Sequence, residues 1–146
     1  MKAIIRKILL ATSIAGGSIG SIMVAADTMI SRELTFNKVI GNSLVFAFFV
    51  YSVYAGIKFL RFPSNIKHLE RVFIAQIPWI TSPILSFKLA TGVGASFLLI
   101  YPPFSDTYRL SIGAEYSLSP LSEQTWGIGV NLAAISFLAL IRLYKE

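Results

Sequence analysis

Residues 107–118 read TYRLSIGAEYSL, and their pattern decides how the chain is read. Tyr108, Leu110, Ile112, Ala114, Tyr116 and Leu118 alternate with Thr107, Arg109, Ser111, Gly113, Glu115 and Ser117. A helix built from this stretch would have no apolar face, whereas successive strand side chains point to opposite sides. The alternation predicts a β-strand over 107–118. Pro102, Pro103, Ser105 and Asp106 supply the turn before it, and Ser119, Pro120 and Ser122 the loop after it. A strand must pair to satisfy its backbone. The candidates are 95–101, 84–91 and 71–77, which would complete a small antiparallel meander within 71–118.

The segment just upstream, 71–101, stays open between a span and strands. Positions 84–101 are long enough for a spanning helix. That helix would hold Lys88 among apolar residues and carry Gly92 and Gly94 in its interior, and Pro78 and Pro83 block its extension. As strands, Leu85, Phe87 and Leu89 alternate with Ser86, Lys88 and Ala90, with a turn at Gly92–Gly94.

The remaining apolar runs point to the membrane. Run 8–26 follows Lys2, Arg6 and Lys7 and ends in Val24, Ala25 and Ala26, which fits a transmembrane helix or an uncleaved signal-like segment. We read it as a retained helix. Run 40–60 is free of charge up to Lys58. Run 126–143 is broken only by Asn131, Ser136 and Arg142, with Trp126 at one end and Tyr144 and Lys145 just past the other. Aromatic and basic ends are the usual anchors of a spanning helix. The expected fold is one membrane unit, 1–146, mainly α, with three to four transmembrane helices and a small extramembrane β element.

Composition agrees with a membrane location: 55% of residues are hydrophobic and 14% charged, against about a quarter charged in a soluble domain. In the four-span reading Lys2, Arg6, Lys7, Lys58, Arg61, Lys67, Arg71, Arg142 and Lys145 share one side, against Arg32, Lys38 and Arg109. By the positive-inside rule this places both termini in the cytoplasm, and the expected location is integral to a bacterial inner membrane. A three-span reading would put the C-terminus outside. An outer-membrane barrel is disfavoured, because Val45–Val50 and Leu132–Leu143 are apolar on both faces. The scattered basic residues do not form a nucleic-acid groove.

The residues for catalysis are missing. The chain has no cysteine and one histidine, His68, in a polar stretch read as a solvated loop. All seven acids lie outside the apolar runs, and Glu115 with Glu123 reads as two solvated acids flanking a loop. No catalytic, metal or cofactor residue is assigned, and the protein is read as a non-enzyme.

Two groups of residues stand out. Gly16 and Gly20 form a GxxxG spacing, with Ser13 and Gly17 on an adjoining small-residue ridge, and Gly129 with Ala133 offers a matching groove on the last run. Such grooves let helix backbones approach closely in lipid. Lys88 and Asn131 are the polar residues nearest the apolar centres. The favoured function is an accessory or assembly subunit that binds another membrane protein, or itself as an oligomer, through the small-residue helix faces. A transport component with a polar path near Lys88, Asn131 and Glu115 is one alternative, and a membrane-embedded inhibitor or immunity factor another.

Overall fold

The computed structural model describes residues 2–31, 35–120 and 125–145. They form four helices and a four-stranded antiparallel sheet, 57% helical and 31% strand, so the sheet is a substantial part of the architecture and no minor appendage. This corrects the expectation of three to four spans with a small β element. Two helices are long and apolar enough to cross a membrane: α1, Lys2–Ile30, and α2, Phe36–Arg61.

α1 and α2 form an antiparallel hairpin held by small residues. A Cβ on Gly17 would lie 2.9 Å from the Phe49 carbonyl oxygen, one on Gly20 2.4 Å from the Phe49 ring, and one on Gly56 2.6 Å from Ser13 Oγ. Midway along α1 the helix loosens into a π turn, Ala11–Ala15. There the Ser13 hydroxyl donates back to the Leu9 carbonyl at 2.8 Å, and Ser52 of α2 donates to the Ser13 carbonyl at 3.1 Å. At the far end, the Asn42 amide donates to Asp27 Oδ2 and Thr28 Oγ1, closing the hairpin with polar contacts.

A short amphipathic helix, α3 (Lys67–Ala75), and a terminal helix, α4 (Leu132–Lys145), pack at the opposite end of that hairpin. Their core joins Ile5, Leu9, Phe59, Leu69, Phe73 and Ile141. Around this end gather the cationic residues of both helix ends. Arg6 donates to the Leu60 carbonyl at 2.8 Å, and Lys145 pairs with Glu70.

The sheet comprises β1 (Pro78–Thr81), β2 (Leu85–Tyr101), β3 (Ser105–Pro120) and β4 (Trp126–Asn131), in the order β1-β4-β2-β3 with β1 also pairing β2. The strand read at 107–118 is the heart of β3, and it pairs along its length with β2. Residues 85–91 and 95–101 are two parts of that one strand, with Ile84 just ahead of it, so the spanning-helix reading of 84–101 is overturned. Gly92–Gly94 is no turn. Gly92 and Gly113 face each other in register with φ of +77° and +108°, which bends the ribbon without breaking it. The third candidate partner, 71–77, is mostly helical and belongs to α3.

The bend curls the sheet upon itself. The first half of β2 pairs β1 at Trp79↔Lys88, its second half pairs β4 at Leu98↔Gly129, and β1 pairs β4 at Trp79↔Gly129. Among the described residues β3 alone keeps an edge with no neighbouring strand.

Run 126–143 is not a transmembrane helix. Its first six residues are β4, and the helix that follows has 14 residues, about 21 Å at 1.5 Å each, against a bilayer core of about 30 Å. The switch lies at Asn131. Its Oδ1 accepts from Ala133 N at 3.1 Å and Ala134 N at 3.4 Å, capping α4, and from Ala95 N of β2 at 3.3 Å. Gly129 therefore sits in a strand, where a Cβ would lie 2.2 Å from the Phe97 carbonyl oxygen. It forms no helical groove with Ala133.

Candidate functional site

Strand pairing sorts the β2–β3 hairpin into two faces. Register partners Ser86↔Ser119, Lys88↔Ser117, Ala90↔Glu115, Gly94↔Ser111 and Ser96↔Arg109 share the inner face. The intervening residues, such as Phe87, Leu89, Leu110 and Ile112, form the outer one. The sheet thus encloses polar side chains and turns apolar ones outward.

Inside the curl lies a cavity of about 390 Å³. Lys88 reaches into it from β2 and is 4% exposed. Its ammonium stands 3.8 Å over the centroid of Trp79, its cross-strand partner on β1, and 2.9 Å from Glu115 Oε1. Arg109 Nε meets the same carboxylate oxygen at 2.7 Å. Arg109 and Glu115 are six residues apart on one strand, a straight-line separation of roughly 20 Å at 3.3 Å per residue. Their contact requires the bend at Gly113.

The electrostatics of the cluster are unbalanced. Two cations share one oxygen of one carboxylate, which leaves a net positive charge. Lys88 and Glu115 are held as an ion pair, while Glu115 Oε2 and Ser96 Oγ are buried without a hydrogen-bond partner. Burial, followed by the Arg109 charge, lowers the pKa of Lys88 below its usual range, although contact with Glu115 opposes this.

The small-residue ridge is absorbed within the chain. Gly16 and Thr12 of α1 sit against Gly92 of β2, a Cβ on Gly16 falling 2.2 Å from the Gly92 nitrogen. Ser13, Gly17 and Gly20 face α2. Ala133 lies in the first turn of α4.

Of the polar residues read from the sequence, the structure brings Lys88 and Glu115 together and leaves Asn131 outside their cluster, as a helix cap. Glu123 lies outside the described residues. The sequence reading overlooked Trp79 and Arg109 in this cluster. Their signal was face parity, which is usable only once the hairpin register is known.

His68 is not a loop residue. It lies in the first turn of α3, with Nδ1 2.9 Å from the Tyr51 hydroxyl and Nε2 3.0 Å from Lys58 Nζ. An ammonium donating to Nε2 requires a neutral ring. Partial burial and the nearby Lys58 and Arg71 charges lower its pKa accordingly. No group of metal-ligating side chains occurs among the described residues.

The second candidate surface is the outer face of the hairpin. Toward its base, Leu89 lies under Val24, Val45 and Phe49, and the Tyr116 ring meets Phe49 edge-on with centroids 6.1 Å apart. Toward its tip, Tyr108, Leu110 and Ile112 are 74%, 85% and 94% exposed. Comparison with protein-family models, curated proteins and solved structures finds no match to this chain.

Proposed function

We propose that the protein is a non-enzymatic assembly subunit of a bacterial cytoplasmic membrane, and that it receives an extended segment of another membrane protein along the tip half of β3. The observation that carries this reading is the edge itself. β3 is the last strand of the sheet, and its 105–112 half, paired with β2 on one side only, combines an open outer edge with three large exposed apolar side chains. Proteins usually shield such an edge, and an added strand uses its hydrogen bonds for affinity and alternate side chains for specificity. The fitting segment carries apolar residues beside Tyr108, Leu110 and Ile112, and polar ones beside Arg109 and Ser111.

The membrane part of the proposal rests on α1 and α2 as a two-span hairpin. Lys2, Arg6, Lys7, Lys58, Arg61, Lys67 and Arg71 then lie at or beyond the same end of it, with Arg142 and Lys145 beside them on α4. This supports a cytoplasmic N-terminus with two spans, where the sequence reading needed four.

A photo-crosslinking residue at Leu110, activated in native membranes, tests the proposal. A discrete adduct with another membrane protein, absent when the same residue replaces Leu89, is the expected result. An adduct of twice the chain mass would identify a second copy as the occupant and overturn the proposal of a different partner. Adducts with lipid alone would remove the protein partner altogether. Extraction by alkaline carbonate would remove the membrane.

A further inference from the structure

The cavity inside the curled sheet has features that the assembly reading leaves unused. A buried ammonium held only by an ion pair and an aromatic ring, and a buried carboxylate oxygen without a donor, converge in one strand-lined space. A buried polar group left unpaired is costly, and each such group in a folded protein calls for an account. Water is the simplest occupant: at ~30 Å³ per molecule the space is worth roughly a dozen waters. Water, however, leaves the charge uncorrected.

We infer that this cavity is a binding site for a small monocarboxylate bearing a hydroxyl group, held between Lys88 and Arg109. Charge comes first. Lys88 and Arg109 against Glu115 leave a single net positive charge, which one monoanion neutralises, whereas a phosphate dianion would reverse it. Shape comes second. Arg109 is 62% exposed along its side chain, while Lys88 is 5% exposed. The arginine therefore stands toward solvent and the lysine at depth. A guanidinium matches the planar fork of a carboxylate, and the ammonium adds a compact charge beneath it.

The remaining orphan specifies the rest of the ligand. Glu115 Oε2 accepts only, so it needs a donor, and a ligand hydroxyl supplies one without adding charge. An ammonium would donate equally well but would leave the site positive. Trp79, Leu98 and Ile100 give the cavity apolar walls, which favour an organic body over an inorganic ion. The cavity volume admits a short-chain organic acid with room to spare.

Trp79 provides the readout, because its ring lies directly beneath the Lys88 ammonium. In detergent-purified full-length protein carrying Trp126→Phe, titration with lactate should change tryptophan emission saturably. Acetate should require a concentration at least tenfold higher, and sulfate, a dianion at any working pH, should not compete. Arg109→Gln, a change at an exposed side chain that leaves the sheet folded, should weaken lactate at least tenfold, and Lys88→Met should abolish the response. Circular dichroism checks that both variants keep the sheet. An emission unchanged by lactate through tens of millimolar would overturn the site and leave water as its occupant. Equal binding of sulfate or decanoate would overturn the ligand class, and responses unaltered in Arg109→Gln would overturn the assignment of its anchor.

Discussion

The two halves of the β2–β3 hairpin share one alternating pattern and meet opposite fates. In the base half, Leu89 and Tyr116 lie beneath Val24, Val45 and Phe49 of the helix hairpin. In the tip half, Leu110 and Ile112 have the same periodicity and the same kind of side chain, yet they stand open. The strand sequence does not distinguish them. What does is the bend at Gly92 and Gly113, which brings one half against α1 and turns the other away. Period-2 alternation identifies a face. It does not say what covers that face.

The largest test of this contrast is the bend itself. At Gly92 the φ of +77° is strained for any side chain, and a Cβ would lie 2.8 Å from the Thr12 Cα. Gly92→Val combines backbone strain with overpacking, for a loss on the order of 3 kcal/mol or more. Its register partner is a control. A Cβ on Gly113 finds only the Ile19 Cγ2 at 3.9 Å, so Gly113→Ala should cost strain alone, about 1–2 kcal/mol. Thermal unfolding in detergent, followed by circular dichroism, ranks the two. Equal losses would mean that contact with α1 does not fix the bend.

The halves themselves come next. Leu89→Ala removes a buried side chain and should cost roughly 2–5 kcal/mol, while Leu110→Ser at an exposed position should stay within about 0.5 kcal/mol. A comparable loss from Leu110→Ser would mean that the tip is already covered, and would place its partner within the purified particle.

How much of this was legible depended on how local each signal was. The strand at 107–118 was readable because strict alternation over twelve residues admits no helical face. Run 126–143 was misread because apolarity was weighed over its whole length. Gly127 and Gly129, interleaved with Trp126, Ile128 and Val130, are a strand pattern, and Asn131 ahead of Leu132 is a helix start. Both signals lay inside a run long enough to imitate a span. The Lys88 cluster was only half legible. Lys88 and Glu115 stood out as polar residues, but their meeting needs the register of the hairpin, and the approach of Arg109 needs a bend that no local pattern announces.

Asn131 offers a smaller test, at the point where β4 becomes α4. Asn131→Ala removes the acceptor shared by two α4 amides and by Ala95 of β2. Loss of a helix cap costs about 0.5–2 kcal/mol, and the Ala95 amide adds to it. Asn131→Asp keeps the acceptor and should recover most of the loss. If Asn131→Ala costs less than about 0.5 kcal/mol, the three amides find other acceptors and the cap does not hold the junction.

The smallest effect concerns pH, and it again separates base from tip. Lys88 belongs to the base half, and burial, with a contribution from Arg109, holds its pKa below the ordinary 10.5, against the opposing pull of Glu115. The folded chain therefore releases this proton at a lower pH than the unfolded chain does. Between those two values the unfolded state binds more protons, so the free energy of unfolding rises with pH across that window. Below the window the burial cost of the charged lysine is present in full and the curve is flat with respect to this group. Tyr116 acts in the opposite sense, since burial and, secondarily, Asp27 raise its pKa above 10.0. Its neutral form is favoured in the fold, and stability is lost as pH climbs past 10. The measurement accordingly belongs below pH 10. Denaturation midpoints recorded from neutral pH upward should rise slightly in the parent chain, rise equally in Leu110→Ser, and stay flat in Lys88→Met. A flat parent curve would mean that Glu115 compensates the burial of Lys88 in full, so that the lysine keeps its proton as an exposed one does and the net positive charge of the cluster stays in place.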